Sequence, residues 1–231
     1  MSDTASIRNE WIPNLLVEVI GTFCLVFMGI GAIHLAGNDV VAVALAHGLA
    51  IGMMVAATGH ISGGAFNPAV ALALLVARKL SPTKTVLYVV AELVGAVLAA
   101  WAITAVFQNG ISVVAGGTPA VGAGFSTRNA FIAEIITTFF LAYVIFGVAI
   151  DKRNVSTIAA LAIGLTITMD ILATGGISGA AMNPARWFGP ALVAGVWDNA
   201  WIWIVAPCCG AILAALVYYY IYMCGDALQE D

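Results

Sequence analysis

Two copies of the tripeptide Asn-Pro-Ala, at 67–69 and 183–185, are the part of this 231-residue chain best suited to chemistry. Asn is a preferred helix N-cap and Pro is preferred at the first helical position, so each copy predicts a helix that begins abruptly. The side-chain amides of Asn67 and Asn183 can then donate hydrogen bonds from a helix N-terminus, where the helix dipole is positive. The six motif residues are Asn67, Pro68, Ala69, Asn183, Pro184 and Ala185.

Glycine-rich runs before the two asparagines supply candidate hydrogen-bond acceptors. Irregular backbone leaves its carbonyl groups unpaired by a helix. The carbonyl groups expected to line a path toward the asparagines are those of Gly63, Gly64, Ala65, Phe66, Gly179, Ala181 and Met182. Central donors with acceptors leading to them form a path for neutral solutes that make hydrogen bonds. The alternative for each Asn-Pro pair, taken alone, is an ordinary helix cap, and the duplication argues against it.

The composition places these motifs in a membrane. Hydrophobic residues make up 62% of the chain and charged residues 9%, and the mean hydropathy is +1.04. A soluble domain would carry roughly a quarter charged residues. The net charge of −4 points to no nucleic-acid role. No nucleophile–base pair, metal cluster or cofactor motif is visible, so we expect no enzyme and no cofactor. Residues 1–11 resemble neither a signal nor a transit peptide, so the first apolar segment is expected to remain.

Eight apolar segments must position the motifs. Six are long enough to cross a bilayer of about 30 Å, whereas two of about ten residues are too short and are predicted to be re-entrant half-helices. The fold class expected is an all-α membrane protein with six transmembrane helices and two half-helices. The predicted spans are about 11–36, 40–58, 85–107, 129–150, 156–173 and 199–224, and the short pieces are 68–77 and 184–195. Residues 108–128 are predicted to be a loop.

Basic residues predict the orientation of the spans. If successive spans cross the membrane in opposite directions, Arg128 is the one basic residue on its side of the membrane. Arg186 lies inside the second re-entrant piece. The positive-inside rule then places both termini in the cytoplasm. The basic residues on the opposite side from Arg128 are Arg8, Arg78, Lys79, Lys84, Lys152 and Arg153.

An internal repeat relates the two halves of the single channel domain, residues 1–231. The motif asparagines are 183 − 67 = 116 positions apart, and the same offset relates Glu18 to Glu134. The repeats cover about 11–107 and 128–224, with re-entrant loops at 59–78 and 175–195. Three spans per repeat is an odd number, so the halves insert with opposite topology, as in transport proteins. The two half-helix N-termini are expected to meet near the midplane and repel cations, including protons.

These features together resemble the aquaporins, the major intrinsic protein family, over essentially the whole chain. The two Asn-Pro-Ala motifs, Arg186 and the pair Glu18 and Glu134 carry the resemblance. It implies the inverted-repeat aquaporin fold, a passive channel that excludes protons and ions, one pore per subunit and a homotetramer. Glu18 and Glu134 are interpreted as acceptors for backbone amides of the re-entrant loops, with a proton relay as the alternative.

The resemblance also implies a selectivity filter of four residues. Matching the family pattern to this chain selects His47, Ile171, Ala180 and Arg186. An intramembrane arginine is costly and rarely structural, whereas a lone histidine in an apolar span is often a core residue. The set resembles the plant tonoplast intrinsic proteins, which implies water with ammonia, urea or hydrogen peroxide as solutes. Loop 108–128 has no histidine, a departure from that class that bears on ammonia selectivity.

Other interpretations remain open. A glycerol-type facilitator is disfavoured because Trp187 and Ala191 stand where such channels carry an acidic and a basic residue. An ion-coupled secondary transporter and a structural membrane protein with an occluded pore are further alternatives. The expected location is the cell membrane, with the vacuolar membrane as the alternative. Glu92 is either neutral or paired, and His60 either gates by protonation or packs the loop.

Overall fold

A computed structural model describes residues 3–37 and 39–223, with side chains from residue 11 onward. Six helices in these ranges are long and apolar enough to cross a membrane, which confirms the predicted fold class. The side chain of Arg8, used for the orientation, and Cys224, the predicted end of the last span, lie outside the described residues. The long helices are α1 Asp3–Ala36, α2 Val40–Ser62, α4 Pro82–Val106, α6 Thr127–Ile145, α7 Ala159–Ser178 and α9 Trp201–Ala215.

Two short helices begin at the Asn-Pro motifs, as the sequence predicts. These are α3, Pro68–Val76, and α8, Pro184–Ala194. The helices before them run further than expected, because α2 continues to Ser62 and α7 to Ser178. Glycine alone does not end a helix. Each of these helices ends where the next glycine adopts a left-handed conformation, with φ of +96° at Gly63 and +79° at Gly179.

Residues 108–128 are not entirely a loop. They contain the helix α5, Gly110–Gly117, which packs against α1, α4 and α8. The helix is only eight residues long and is bounded by glycines, so its sequence carries little periodic signal. A second difference is that α6 and α9 end in π-helical turns, Phe146–Ile150 and Leu216–Met223.

Small residues let the long helices approach closely, as is common in membranes. A Cβ atom added to Gly48 of α2 would lie 2.4 Å from the carbonyl oxygen of Gly164 in α7. Gly95 of α4 and Gly210 of α9 would make similar clashes with α1 and α6. Apart from the contact between α2 and α7, the long helices form matching groups, α1 with α2 and α4, and α6 with α7 and α9. Each half-helix packs against the last span of the other group, α3 on α9 and α8 on α4.

Candidate functional site: a pore between two half-helices

The two motif asparagines cap their half-helices. Asn67 is extended, with φ of −159°, and its Oδ1 accepts a hydrogen bond of 2.9 Å from the amide of Ala69. Asn183 does the same, accepting from Ala185 at 2.9 Å and from Arg186 at 3.2 Å. The caps turn both amide nitrogens away from their own helices.

Each amide nitrogen donates across to the other half of the molecule. Nδ2 of Asn67 lies 2.7 Å from the carbonyl oxygen of Met182, and Nδ2 of Asn183 lies 2.8 Å from that of Phe66. An amide has two N–H bonds, so each asparagine keeps one hydrogen for the lumen. Phe66 and Met182 have positive φ, near +50°, a conformation that costs energy for a side chain and turns their carbonyls toward the opposite asparagine.

Buried carboxyl groups hold both re-entrant loops. Glu18 of α1 accepts from the amides of Ala65 at 3.2 Å and Phe66 at 2.7 Å. Glu134 of α6 accepts from Ala181 at 2.8 Å and Met182 at 2.7 Å. All four amides would otherwise lack a protein acceptor, since the loop is not helical there.

A serine and an aromatic residue tie each loop to a neighbouring span. The hydroxyl of Ser62 accepts from the Gly64 amide at 3.0 Å, and that of Ser178 accepts from Ala180 at 3.2 Å. The carbonyl groups of the two serines accept hydrogen bonds of 2.7 Å and 3.0 Å from residues of α4 and α9. The donors are the hydroxyl of Tyr88 and the indole nitrogen of Trp203.

Two cavities meet at the four residues expected to form the filter. An inner cavity of about 440 Å³ and an outer cavity of about 420 Å³ are both bordered by His47, Ile171 and Arg186. Ala180 borders the inner cavity. The inner cavity passes both asparagines and opens near Lys79 and Lys84. The path therefore runs from one end of the helices to the other through the predicted filter.

The polar groups of this constriction have defined partners. Nδ1 of His47 lies 2.8 Å from the Val43 carbonyl oxygen and must donate to it, which leaves Nε2 as an acceptor. Nη2 of Arg186 donates to that nitrogen at 3.3 Å, and Nη1 donates to the Gly117 carbonyl at 2.8 Å. Nε of Arg186 is buried and has no partner among the described residues. The constriction thus carries a fixed guanidinium beside a neutral imidazole ring.

The other predicted site residues divide into two groups. Gly63, Gly64, Ala65, Ala181 and Met182 border the inner cavity and Gly179 borders the outer one. Phe66 borders neither cavity. Its side chain is buried, and its ring fills the space that a Cβ atom on Gly21 would need. Pro68, Ala69, Pro184 and Ala185 are buried and border neither cavity. His60 is exposed and borders the inner cavity.

Sequence reasoning missed two features of the pore. One is Gly117, whose carbonyl holds Arg186 and which no motif marks. The other is a set of four residues at the offset of 116 from the filter positions, here called the inner ring, of which only Gly64 was predicted and which the repeat could have revealed. Its members all border the inner cavity and are Ile163 (matching His47), Val55 (Ile171), Gly64 (Ala180) and Val70 (Arg186).

One ion pair lies beside the inner opening. Asp151 follows the π-helical turn of α6 and accepts from Nε of Arg153 at 2.9 Å and from Nη2 at 2.8 Å. The Tyr218 hydroxyl, from the other π-helical turn, donates to the same carboxylate at 3.3 Å. The hydrogen bonds from Arg153 hold the pKa of Asp151 at about 2, below its usual value of 3.8. The connection between α6 and α7 is thereby fastened to the end of α9.

Comparisons with known proteins agree with this arrangement. The family model "Major intrinsic protein" matches residues 6–218. The chain is 40% identical to Aquaporin NIP1-1 of Zea mays over 95% of its own length and 78% of that protein. It is 40% identical to Aquaporin TIP4-4 of Zea mays, with 90% and 86% covered. The fold matches the aquaglyceroporin of Plasmodium falciparum with a TM-score of 0.84 and 26% identity, covering 94% of this chain and 99% of that one.

Proposed function

The chain belongs to the major intrinsic protein family, and we propose that its pore conducts water and small neutral solutes through the path between the two asparagines. Members of this family are passive channels and not enzymes. The observation that carries the assignment of the path is the pairing of Asn67 and Asn183, each donating to the opposite loop and each bordering one continuous cavity. Their free amide hydrogens orient a passing molecule as an acceptor.

Exclusion of charge follows from the same geometry. A water molecule that accepts from both amides cannot also accept a proton, and two helix N-termini repel cations. Arg186 adds a fixed positive charge at the filter. Acceptors on either side, the carbonyls of the glycine-rich runs, replace the hydrogen bonds that a neutral solute loses when it leaves water.

The solutes proposed are water together with ammonia, urea or hydrogen peroxide. Support comes from the filter, where the small Ala180 and the aliphatic Ile171 leave His47 and Arg186 as the polar groups. Relatives of the NIP and TIP classes are equally similar to this chain, so overall similarity favours neither class. A glycerol-type facilitator remains the second candidate, favoured by the match to an aquaglyceroporin structure.

Osmotic shrinkage of proteoliposomes tests the channel directly. Stopped-flow light scattering is expected to show fast water flux with an activation energy well below that of protein-free vesicles. An activation energy equal to that of bare lipid would rule out a channel and favour a structural protein with an occluded pore. A current driven by a proton or sodium gradient would instead favour an ion-coupled transporter. Measuring the shrinkage of the same vesicles with urea and with glycerol as the osmolyte ranks the permeability of the pore to these two solutes.

We further propose that four copies assemble, each with its own pore, in the cell membrane or the vacuolar membrane, with both termini in the cytoplasm. The large apolar side chains exposed on the long helices provide surface both for lipid and for neighbouring copies. Native mass spectrometry of the extracted protein is expected to give four times 23.8 kDa. A mass of one chain would contradict the tetramer, and protease access to tags at the termini tests the orientation.

A further inference from the structure

A second carboxyl group stands beside the first re-entrant loop and has no part in the mechanism above. Glu92 of α4 and Glu18 of α1 are both fully buried, at 0% exposure. Oε1 of Glu92 accepts a hydrogen bond of 2.9 Å from the backbone amide of Asn67. Glu92 therefore contacts the asparagine that donates into the pore, while Glu18 holds the two residues before it.

The hydrogen bonds of Glu92 leave one oxygen unexplained. Oε2 is buried and receives no hydrogen bond from any donor among the described residues. The neighbouring acid is Glu18, because the two carboxyl groups accept from the adjacent amides of Phe66 and Asn67. Ionised carboxylates are acceptors only, so a hydrogen bond between these two side chains needs a proton.

Among the residues whose side chains the structure describes, no cation compensates the pair. Within residues 11–37 and 39–223, the one ion pair at 4.0 Å or less joins Arg153 to Asp151. The guanidinium of Arg186, on the neighbouring α8, is directed to Gly117 and His47. The helices α3 and α5, which also pack on α4, carry no titratable side chain. On α4 itself, the Tyr88 hydroxyl donates to Ser62, and the Lys84 ammonium stands over the Tyr88 ring.

The second half of the molecule has no such pair. Residues of α9 correspond to those of α4 at an offset of 115, because 203 − 88 = 115 for the aromatic donors and 210 − 95 = 115 for the contact glycines. The position that corresponds to Glu92 is thus 207, which is Pro207. Glu134 receives its third hydrogen bond from the hydroxyl of Ser178, at 2.6 Å.

We propose that Glu92 is a neutral carboxylic acid at neutral pH, with Oε2–H donating to Glu18 and Oε1 accepting from the Asn67 amide. Glu92 is then a positioning residue that orients Asn67. This inference rests on the channel function proposed above. Removal of the proton would place two negative charges side by side in an apolar interior and abolish the hydrogen bond between them. The first loop, and with it Asn67, would lose its support.

Glutamine is the informative replacement for this residue. The amide of Glu92→Gln can donate to Glu18 and accept from Asn67, so it reproduces the protonated acid and cannot ionise. Glu92→Ala removes both contacts and leaves a buried amide without an acceptor. We expect E92Q to retain the water flux and melting temperature of the wild type at neutral pH. E92A is expected to lose several degrees of melting temperature and most of its flux.

The pH dependence separates this role from packing alone. From neutral to alkaline pH, wild-type flux is expected to fall reversibly, whereas the flux of E92Q stays constant. Infrared spectra of the reconstituted protein should show the C=O stretch of a buried protonated acid that shifts in D₂O and is absent in E92Q. An E92Q profile that falls like the wild type, or an acid band unchanged by the substitution, would overturn the proposal. The infrared result requires no conduction, so it is independent of a failure of the channel function itself.

Discussion

The two re-entrant loops share one frame of hydrogen bonds and differ in what they present to the pore. This frame has three parts in each loop. A glutamate accepts from two loop amides, a serine hydroxyl accepts from a third amide, and the asparagine donates to the opposite loop. These contacts repeat at an offset of 116 or one position less. The frame is therefore a property of the repeat, and it places both asparagines at the centre.

The side chains of the outer constriction do not repeat at the corresponding inner positions. The outer constriction carries His47 and Arg186, whereas the corresponding inner ring carries Ile163 and Val70, which are apolar. Arg186 also depends on a contact outside the frame, the Gly117 carbonyl of α5. The repeat supplies the common architecture and both motif asparagines, and we propose that the residues that break the repeat supply selectivity. Three predictions test this division, beginning with the frame.

Removing the glutamate of one loop is expected to have the largest effect. Glu134→Ala leaves the Ser178 hydroxyl and two backbone amides buried without an acceptor, at a cost of about 1–3 kcal/mol each. The sum approaches the whole stability of a typical domain, so we expect almost no folded protein. Glu18→Ala should be less severe, because Glu92 remains beside the first loop as a second carboxyl group.

The two alanine variants are compared by size-exclusion chromatography after a temperature series, with Glu134→Gln as the matched control. Glutamine keeps one acceptor and is expected to rescue part of the folded fraction. Equal melting temperatures for Glu18→Ala and Glu134→Ala would show that Glu92 gives no support to the first loop. Folded, conducting Glu134→Ala would show that the frame is not needed to hold the loop.

The frame could be predicted from the sequence to a large extent. Asn-Pro marks a helix start through local backbone preferences, and long apolar segments mark spans through the length of a bilayer, so both are visible in a single chain. The offset of 116 then pairs Glu18 with Glu134 without any structure. Only the C-terminal ends of α2 and α7 lie later in the chain than the sequence predicts. A glycine ends these helices only where its backbone adopts the left-handed conformation.

The residues that make the halves different could be predicted less well. The Gly117 carbonyl is a backbone atom in a short helix with no periodic signal, and its contact with Arg186 spans 69 positions. The contact of Glu92 with Asn67 depends on how α4 packs beside the loop. From the sequence alone, Glu92 can be either neutral or paired. Such contacts are decided by tertiary packing, and no local preference of the chain encodes them.

Making the outer constriction resemble the inner ring is expected to have the second largest effect. Arg186→Val introduces the residue found at the corresponding position, Val70. It removes the guanidinium and its hydrogen bonds to Gly117 and His47, so the constriction becomes wider and uncharged. We expect the ratio of urea flux to water flux to rise about tenfold, the order of effect that pocket size and lost polar contacts produce. Proton leakage should rise as well.

Stopped-flow shrinkage in urea gives that ratio, and a pH-sensitive dye inside the vesicles gives the proton flux. Val70→Ala is the matched control, since it changes the inner ring and leaves Arg186 in place. Its urea-to-water ratio is expected to stay near that of the wild type. A ratio unchanged in Arg186→Val, or raised equally by both substitutions, would place solute selection outside the outer constriction.

Replacing His47 with Phe tests the same constriction with a smaller expected effect. The imidazole ring packs on Gly29 of α1, where a Cβ atom would lie 2.3 Å from Nε2, so a larger ring there extends toward the pore. It also removes the acceptor for Nη2 of Arg186. Urea flux should fall about threefold more than water flux, because urea is the larger solute. Ile163→Phe is the matched control: it adds the same ring to the apolar inner ring and leaves the polar pair intact, so the urea-to-water ratio is expected to change less than in His47→Phe. An equal change of that ratio in both variants, or equal loss of all fluxes in His47→Phe, would mean that the unrepeated polar residues do not set the solute range.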